Sequence, residues 1–98
     1  MRFQFKTRKL RSLYTDNQGA HKYPPAVVDA FFDDLVIVKA AADERDLYAA
    51  KSLHYERLRG KREGQRSIRL NDQYRLILVV EEDEQGKVLH IIEIADYH

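Results

Sequence analysis

Phe3 and Phe5 alternate with Arg2 and Gln4, the period of a short strand, and Leu10, Leu13 and Tyr14 then fall at helical spacing until Asp16, Asn17 and Gly19 break the pattern. The strongest periodic run comes next. Pro24 and Pro25 suit a helix start, and Val28, Phe31, Phe32, Leu35, Val38 and Ala42 recur every three or four residues, which predicts one long helix with Asp29, Asp33 and Asp34 turned outward. A further short helix is expected over about residues 44 to 51. From residue 53 onward the period is two, and strands are expected at about 54–59, 65–70, 73–81 and 87–95. Asn71-Asp72 separates the middle pair as a tight hairpin does, and Gly86 supplies the last reversal after the acidic stretch Glu81, Glu82, Asp83 and Glu84, read as a loop. Helices early and strands late predict an α+β fold: two to three helices packed on one face of a curved, mostly antiparallel sheet of four to five strands.

Ninety-eight residues suffice for one core and one domain, 1–98. The absence of cysteine excludes disulfides and thiolate-bound zinc. No apolar leader follows Met1 and no apolar run reaches the length of a membrane span, so a cytoplasmic protein is expected. Net charge is only +1, but the charges are sorted. Residues 1 to 11 carry five basic side chains and no acid, and residues 51 to 75 carry eight against Glu56, Glu63 and Asp72. Near-neutrality therefore conceals a basic face able to hold a polyanion.

Strand alternation brings particular groups together. His54 and Glu56 are expected to share one side of their strand, Ser67 and Arg69 one side of the next, and Arg75 to lie across the hairpin from Arg69. Apposed arginines repel unless an anion is expected between them, although a solvated charged face would also account for the run. Asp96, Tyr97 and His98 follow the apolar strand directly and offer an acid, a phenol and an imidazole; the plainer reading is a polar exit from a strand. Tyr14, Tyr23, Tyr48 and Tyr55 read as packing residues with one wet edge.

Three stretches, Arg57-Leu58-Arg59-Gly60, Gly64 through Leu76, and Ile94-Ala95-Asp96-Tyr97-His98, together resemble the RelE/ParE toxin superfamily, in its HigB-type or plasmid-maintenance killer branch. The resemblance covers about residues 25 to 98 and is most specific in the second half. It implies a RelE-like fold and a ribosome-dependent endoribonuclease that cuts messenger RNA in the A site beside 16S rRNA. A helix-turn-helix, HigA-like antitoxin would neutralise it. By the same resemblance His98 and Tyr97 match the C-terminal catalytic pair, Asp96 its accompanying acid, and Arg75 and Arg59 the residues that hold the scissile phosphate. Glu56 stands where the branch tends to carry histidine and resembles the base of YoeB-like toxins; His54 is the substitute.

RNA supplies its own 2′-OH nucleophile, so neither serine, cysteine nor a metal or other cofactor is required. On this reading Glu56 takes the proton, Arg59, Arg69 and Arg75 hold the phosphate, His98 donates to the leaving oxygen, and Lys61, Arg62 and Arg66 extend the RNA-binding surface. Two rivals share the fold or the charge. One is a ParE-like gyrase inhibitor without nuclease activity, and the other is an RNA-binding module that does not cut.

Overall fold

Strand β1 (Phe3–Phe5) leads through helices α1 (Arg8–Asp16), α2 (Pro25–Ala40) and α3 (Glu44–Ala49) into strands β2 (Glu56–Arg57), β3 (Arg66–Arg69), β4 (Tyr74–Asp83) and β5 (Gly86–Asp96). These elements belong to a computed structural model that describes residues 1–97. The ends of the helices follow local chemistry. Thr7 Oγ1 accepts a hydrogen bond from the Leu10 amide at 3.3 Å to open α1, and Asn17 closes it in the left-handed conformation at φ 54°. Pro25 opens α2, where a missing N–H costs nothing. Asp43 caps α3 by accepting from Arg45 N at 3.0 Å.

The strands form one sheet in the order β1-β5-β4-β3-β2. The pairings are antiparallel except that β1 runs parallel to β5, so the sheet is mixed and open. Three helices pack on one face, as the α+β expectation required. Ile68, Leu76, Leu78, Leu89 and Ile91 meet Leu13, Phe31, Leu35 and Val38 in the core, and Phe3, Phe5, Tyr14, Phe31 and Phe32 add a chain of ring contacts over β1. Ser67, Arg69, Arg75 and Ile77 alternate with the core residues and so belong to the opposite face. A register shift between Ile77 and Leu78 pairs them with Glu93 and Ile91, which leaves Ile92 as an extra residue and bends β5.

Three expectations need correction. His54 is not in a strand: it ends the 3-10 turn Lys51–Leu53 with φ 47°, and β2 is only two residues long. The left-handed residue turns the chain just before Tyr55, while burial of Leu53 and Tyr55 on either side reproduces the alternation of a strand. Asp34 is buried rather than outward, because it falls three residues after Phe31 and four before Val38, on the inward stripe of α2. The acidic stretch is mostly not a loop. β4 runs to Asp83, which pairs with Gly86, and the strand end is neutralised by Arg2 on Asp83 at 2.7 Å and by Lys6 on Glu81 at 3.5 Å. Gly86 makes the tight return at φ +109°, where a side chain would be strained.

Candidate active site

The sheet face away from the helices carries the candidate chemistry, and the β3–β4 hairpin sets its geometry. Asn71 Oδ1 accepts from Gln73 N at 2.8 Å and Tyr74 N at 2.7 Å, a side-chain turn that fixes the reversal. Its register puts Arg69 directly opposite Arg75, as the alternation predicted. On the other side of β3, Glu56 lies opposite Ser67. Ser67 is small and buried, and the Glu56 carboxylate reaches across this strand to within 3.8 Å of Arg75 Nη1. That separation is a charge pair without a hydrogen bond. Arg75 Nη1 is itself buried and lacks a hydrogen-bond acceptor among the described residues, as the Ser67 hydroxyl lacks a partner. The Arg75 side chain keeps 24% of its surface open, so an incoming oxyanion can reach the guanidinium beside the solvent-exposed Glu56 carboxylate.

The other basic residues divide into occupied and available. Arg62 Nη2 donates to Glu93 Oε1 at 2.6 Å and Arg62 Nη1 to Gln65 at 3.0 Å, which ties the loop after β2 to β5. Arg66 Nε donates to Glu44 Oε2 at 3.1 Å, and the Tyr55 hydroxyl donates to the same oxygen at 2.9 Å. This set is largely shielded from water. Burial works to raise the Glu44 carboxyl, but the hydrogen bonds from Tyr55 and Arg66 outweigh it and hold the acid below its ordinary range. Burial, and then the neighbouring Glu44, push the Tyr55 phenol up. Arg69 pairs with the exposed Asp72 within the hairpin. Arg59 and Lys61 are exposed and make no ion pair among the described residues. Arg62 and Arg66 thus serve first as struts, a role their place in a basic run does not reveal.

At the chain's end the Tyr97 amide donates to Gln73 O at 2.6 Å, extending the β4–β5 ladder. Ala95 lies opposite Arg75, so alternation puts exposed Tyr97 on the Arg75 face. Asp96 lies opposite Tyr74, on the alternate face, and accepts from Gln73 Nε2 at 3.0 Å. His98 lies outside the described residues. His54 is exposed and lines a separate cavity of about 430 Å³ with Asp33, Asp34, Ser52 and Arg69, away from the Glu56–Arg75 pair. In that cavity wall Asp34 Oδ2 is buried without a hydrogen-bond partner, and burial, with the Asp33 charge second, pushes its carboxyl up to about 7. Among the described residues no group of three or more metal-ligating side chains converges, and no helix is long and apolar enough to cross a membrane. Glu44, Tyr48 and Tyr55 escaped the sequence reading as site residues. The available signal was an acid and two tyrosines spaced at four and seven residues just before the basic run.

A three-helix layer packs on one face of this five-stranded sheet, and the Glu56–Arg75 pair lies on the other. The YoeB/ParE toxin from Agrobacterium tumefaciens superposes with a TM-score of 0.57 over all of both chains at 17% identity. The YoeB-YefM complex from Staphylococcus aureus gives 0.52 over all of this chain and 97% of the other, also at 17% identity. The family model described as the RelE-like toxin HigB of type II toxin-antitoxin systems matches residues 3–98. Toxin HigB-1 of Vibrio cholerae serotype O1 is 38% identical over 77 residues, 79% of this chain and 81% of that protein. The chain belongs to the HigB-like family of RelE-like toxins of type II toxin-antitoxin systems.

Proposed function

We propose that this toxin is a ribosome-dependent endoribonuclease that cuts messenger RNA in the A site, and that a helix-turn-helix, HigA-like antitoxin neutralises it. The observation that carries the reading is the exposed Glu56 carboxylate 3.8 Å from the part-exposed Arg75 guanidinium. Such a pair can take a proton and hold a phosphate at one point. Glu56 removes the proton of the ribose 2′-OH, and that oxygen attacks the adjacent phosphorus to give a phosphorane. Arg75, with Arg59, stabilises its charge, Tyr97 stacks on a base or orients the phosphate, and His98 protonates the departing 5′ oxygen. The products are a 2′,3′-cyclic phosphate and a free 5′-hydroxyl. Asp96 supports His98 in its charged form, and Lys61 extends the cationic rim. His54 is the substitute base, although it lies outside this cluster. Each acid or base contributes about 10²- to 10⁴-fold, and no step in this scheme requires a metal.

The test maps cuts in a translated message for wild type, Glu56→Ala and the chain ending at Tyr97. Glu56 is exposed, so its loss should leave folding intact while cleavage falls by about 10²- to 10⁴-fold. Ribosome-bound message cut by wild type and spared by both variants is the expected result. Undiminished cleavage by the truncated chain would remove His98 from the mechanism. Wild-type arrest of DNA supercoiling without any cut would favour the gyrase-inhibitor reading instead.

A further inference from the structure

On the far side of β2 from Arg75 lies a cleft of about 1080 Å³, lined by Tyr48, Glu56, Arg57, Arg59, Glu63 and Arg66 among others. Tyr48, 47% exposed, is among the described residues one of the three large apolar side chains most open to solvent. Its ring is nonetheless held. It meets Tyr55 edge-on, with centroids 4.8 Å apart and planes at 76°, and the Tyr55 hydroxyl is in turn fixed on Glu44 together with Arg66. An aromatic ring held from below and open to water is a preorganised stacking platform. The cations beside it, Arg57 and Arg59, are exposed and unpaired among the described residues, whereas Arg66 is already neutralised by Glu44. Glu56 joins the two regions, because it both lines this cleft and faces Arg75.

We propose that the Tyr48 cleft is a nucleotide subsite of the message strand: the base next to the scissile phosphate stacks on Tyr48, and the flanking phosphate lies against Arg57. This rests on the nuclease reading above and extends it, since a strand gripped at Arg75 and passing over the two-residue edge strand β2 at Glu56 enters this cleft. The cleft volume exceeds that of one nucleotide, so a base and its phosphate fit together. Stacking is tolerant of base identity, and the subsite therefore adds affinity and register more than sequence preference.

The experiment uses a message made uncleavable by 2′-O-methylation at the scissile position, with 5-bromouridine placed on either side, bound to programmed ribosomes and the toxin. Irradiation should cross-link one flanking base to Tyr48. In parallel, Tyr48→Ala should lower kcat/KM on the cleavable message by about 5- to 100-fold, with the loss in KM rather than kcat. Tyr48→Phe, which keeps the ring, should restore both signals. Arg57→Ala, on an exposed side chain, should raise KM in the same direction even if Tyr48→Ala folds poorly. Flanking message bases that cross-link only to ribosomal RNA or to residues other than Tyr48, or unchanged KM in Tyr48→Ala and Arg57→Ala, overturn the subsite. Cross-linking is read on a strand that cannot be cut, so a Tyr48 cross-link without cleavage of any message refutes the nuclease and leaves the subsite standing.

Discussion

Asp34 occupies a position in α2 where an apolar residue would ordinarily sit, and its Oδ2 is buried without a partner. Burial raises its carboxyl from 3.8 to about 7, so the folded state holds a proton that the unfolded chain releases. Between those values the folded protein binds more protons, and stability falls as pH rises. Asp34's contribution is therefore full below pH 3.8 and lost as pH rises through about 7. Asp34→Asn keeps the shape and cannot ionise. Relative to wild type, it should gain stability progressively from pH 4 to about pH 7 and level off above it, by no more than about 1.4 kcal/mol for each pH unit crossed within that window. Urea melts at pH 5 and pH 8 would read this, and equal differences at both would show that Asp34 is not protonated in the fold. Sequence reading put Asp34 outward because charge usually decides exposure, whereas here the helical period decided it. The opposite case is the Arg69–Arg75 apposition, which was legible: period two and the Asn71 turn leave one register. His54 was not, since its neighbours alternate in burial whether the backbone is a strand or a left-handed turn.

At the level of elements, α3 is only six residues long and too short to persist alone. Leu47 buries one side of it, and Glu44 locks it to β3 through Arg66 while also receiving the Tyr55 hydroxyl. The side chains of Arg66 and Glu44 are 14% and 16% exposed, so removing one partner strands the other in a poorly hydrated place. Glu44→Ala should cost about 2–4 kcal/mol, and Tyr55→Phe, which removes one hydrogen bond, about 1 kcal/mol. Chemical denaturation measures both, and a cost below that of Tyr55→Phe for Glu44→Ala would show that the pair is not a strut. The lock was hidden in the sequence because its members lie 11 and 22 residues apart and belong to different elements. Parallel pairing of β1 with β5 was hidden for the same reason: three residues with alternating phenylalanines announce a strand but not its neighbour.

Across the whole molecule, internal pairing determines which cations are left for a polyanion. Arg2, Lys6, Arg45, Arg62, Arg66 and Arg69 each have a carboxylate within ion-pair distance. Around the candidate site this leaves Arg57, Arg59 and Lys61 unpaired among the described residues, with Arg75 held only by the long contact to Glu56. If these four neutralise phosphates, the affinity for an uncleavable single strand should fall with salt at a log–log slope of about −3, since each contact on a single strand contributes about −0.7. The variants should divide along the same line. Arg59→Ala should flatten the slope by about 0.7. Arg62→Ala instead frees Glu93 on β5 and removes a strut, so it should lower stability and leave the slope nearly unchanged. Binding isotherms from low to moderate salt test this, and equal flattening by both substitutions would show that the 62–93 pair opens to receive RNA. A net charge of +1 does not forbid so steep a dependence, because counterion release counts the phosphates contacted and not the protein's total charge.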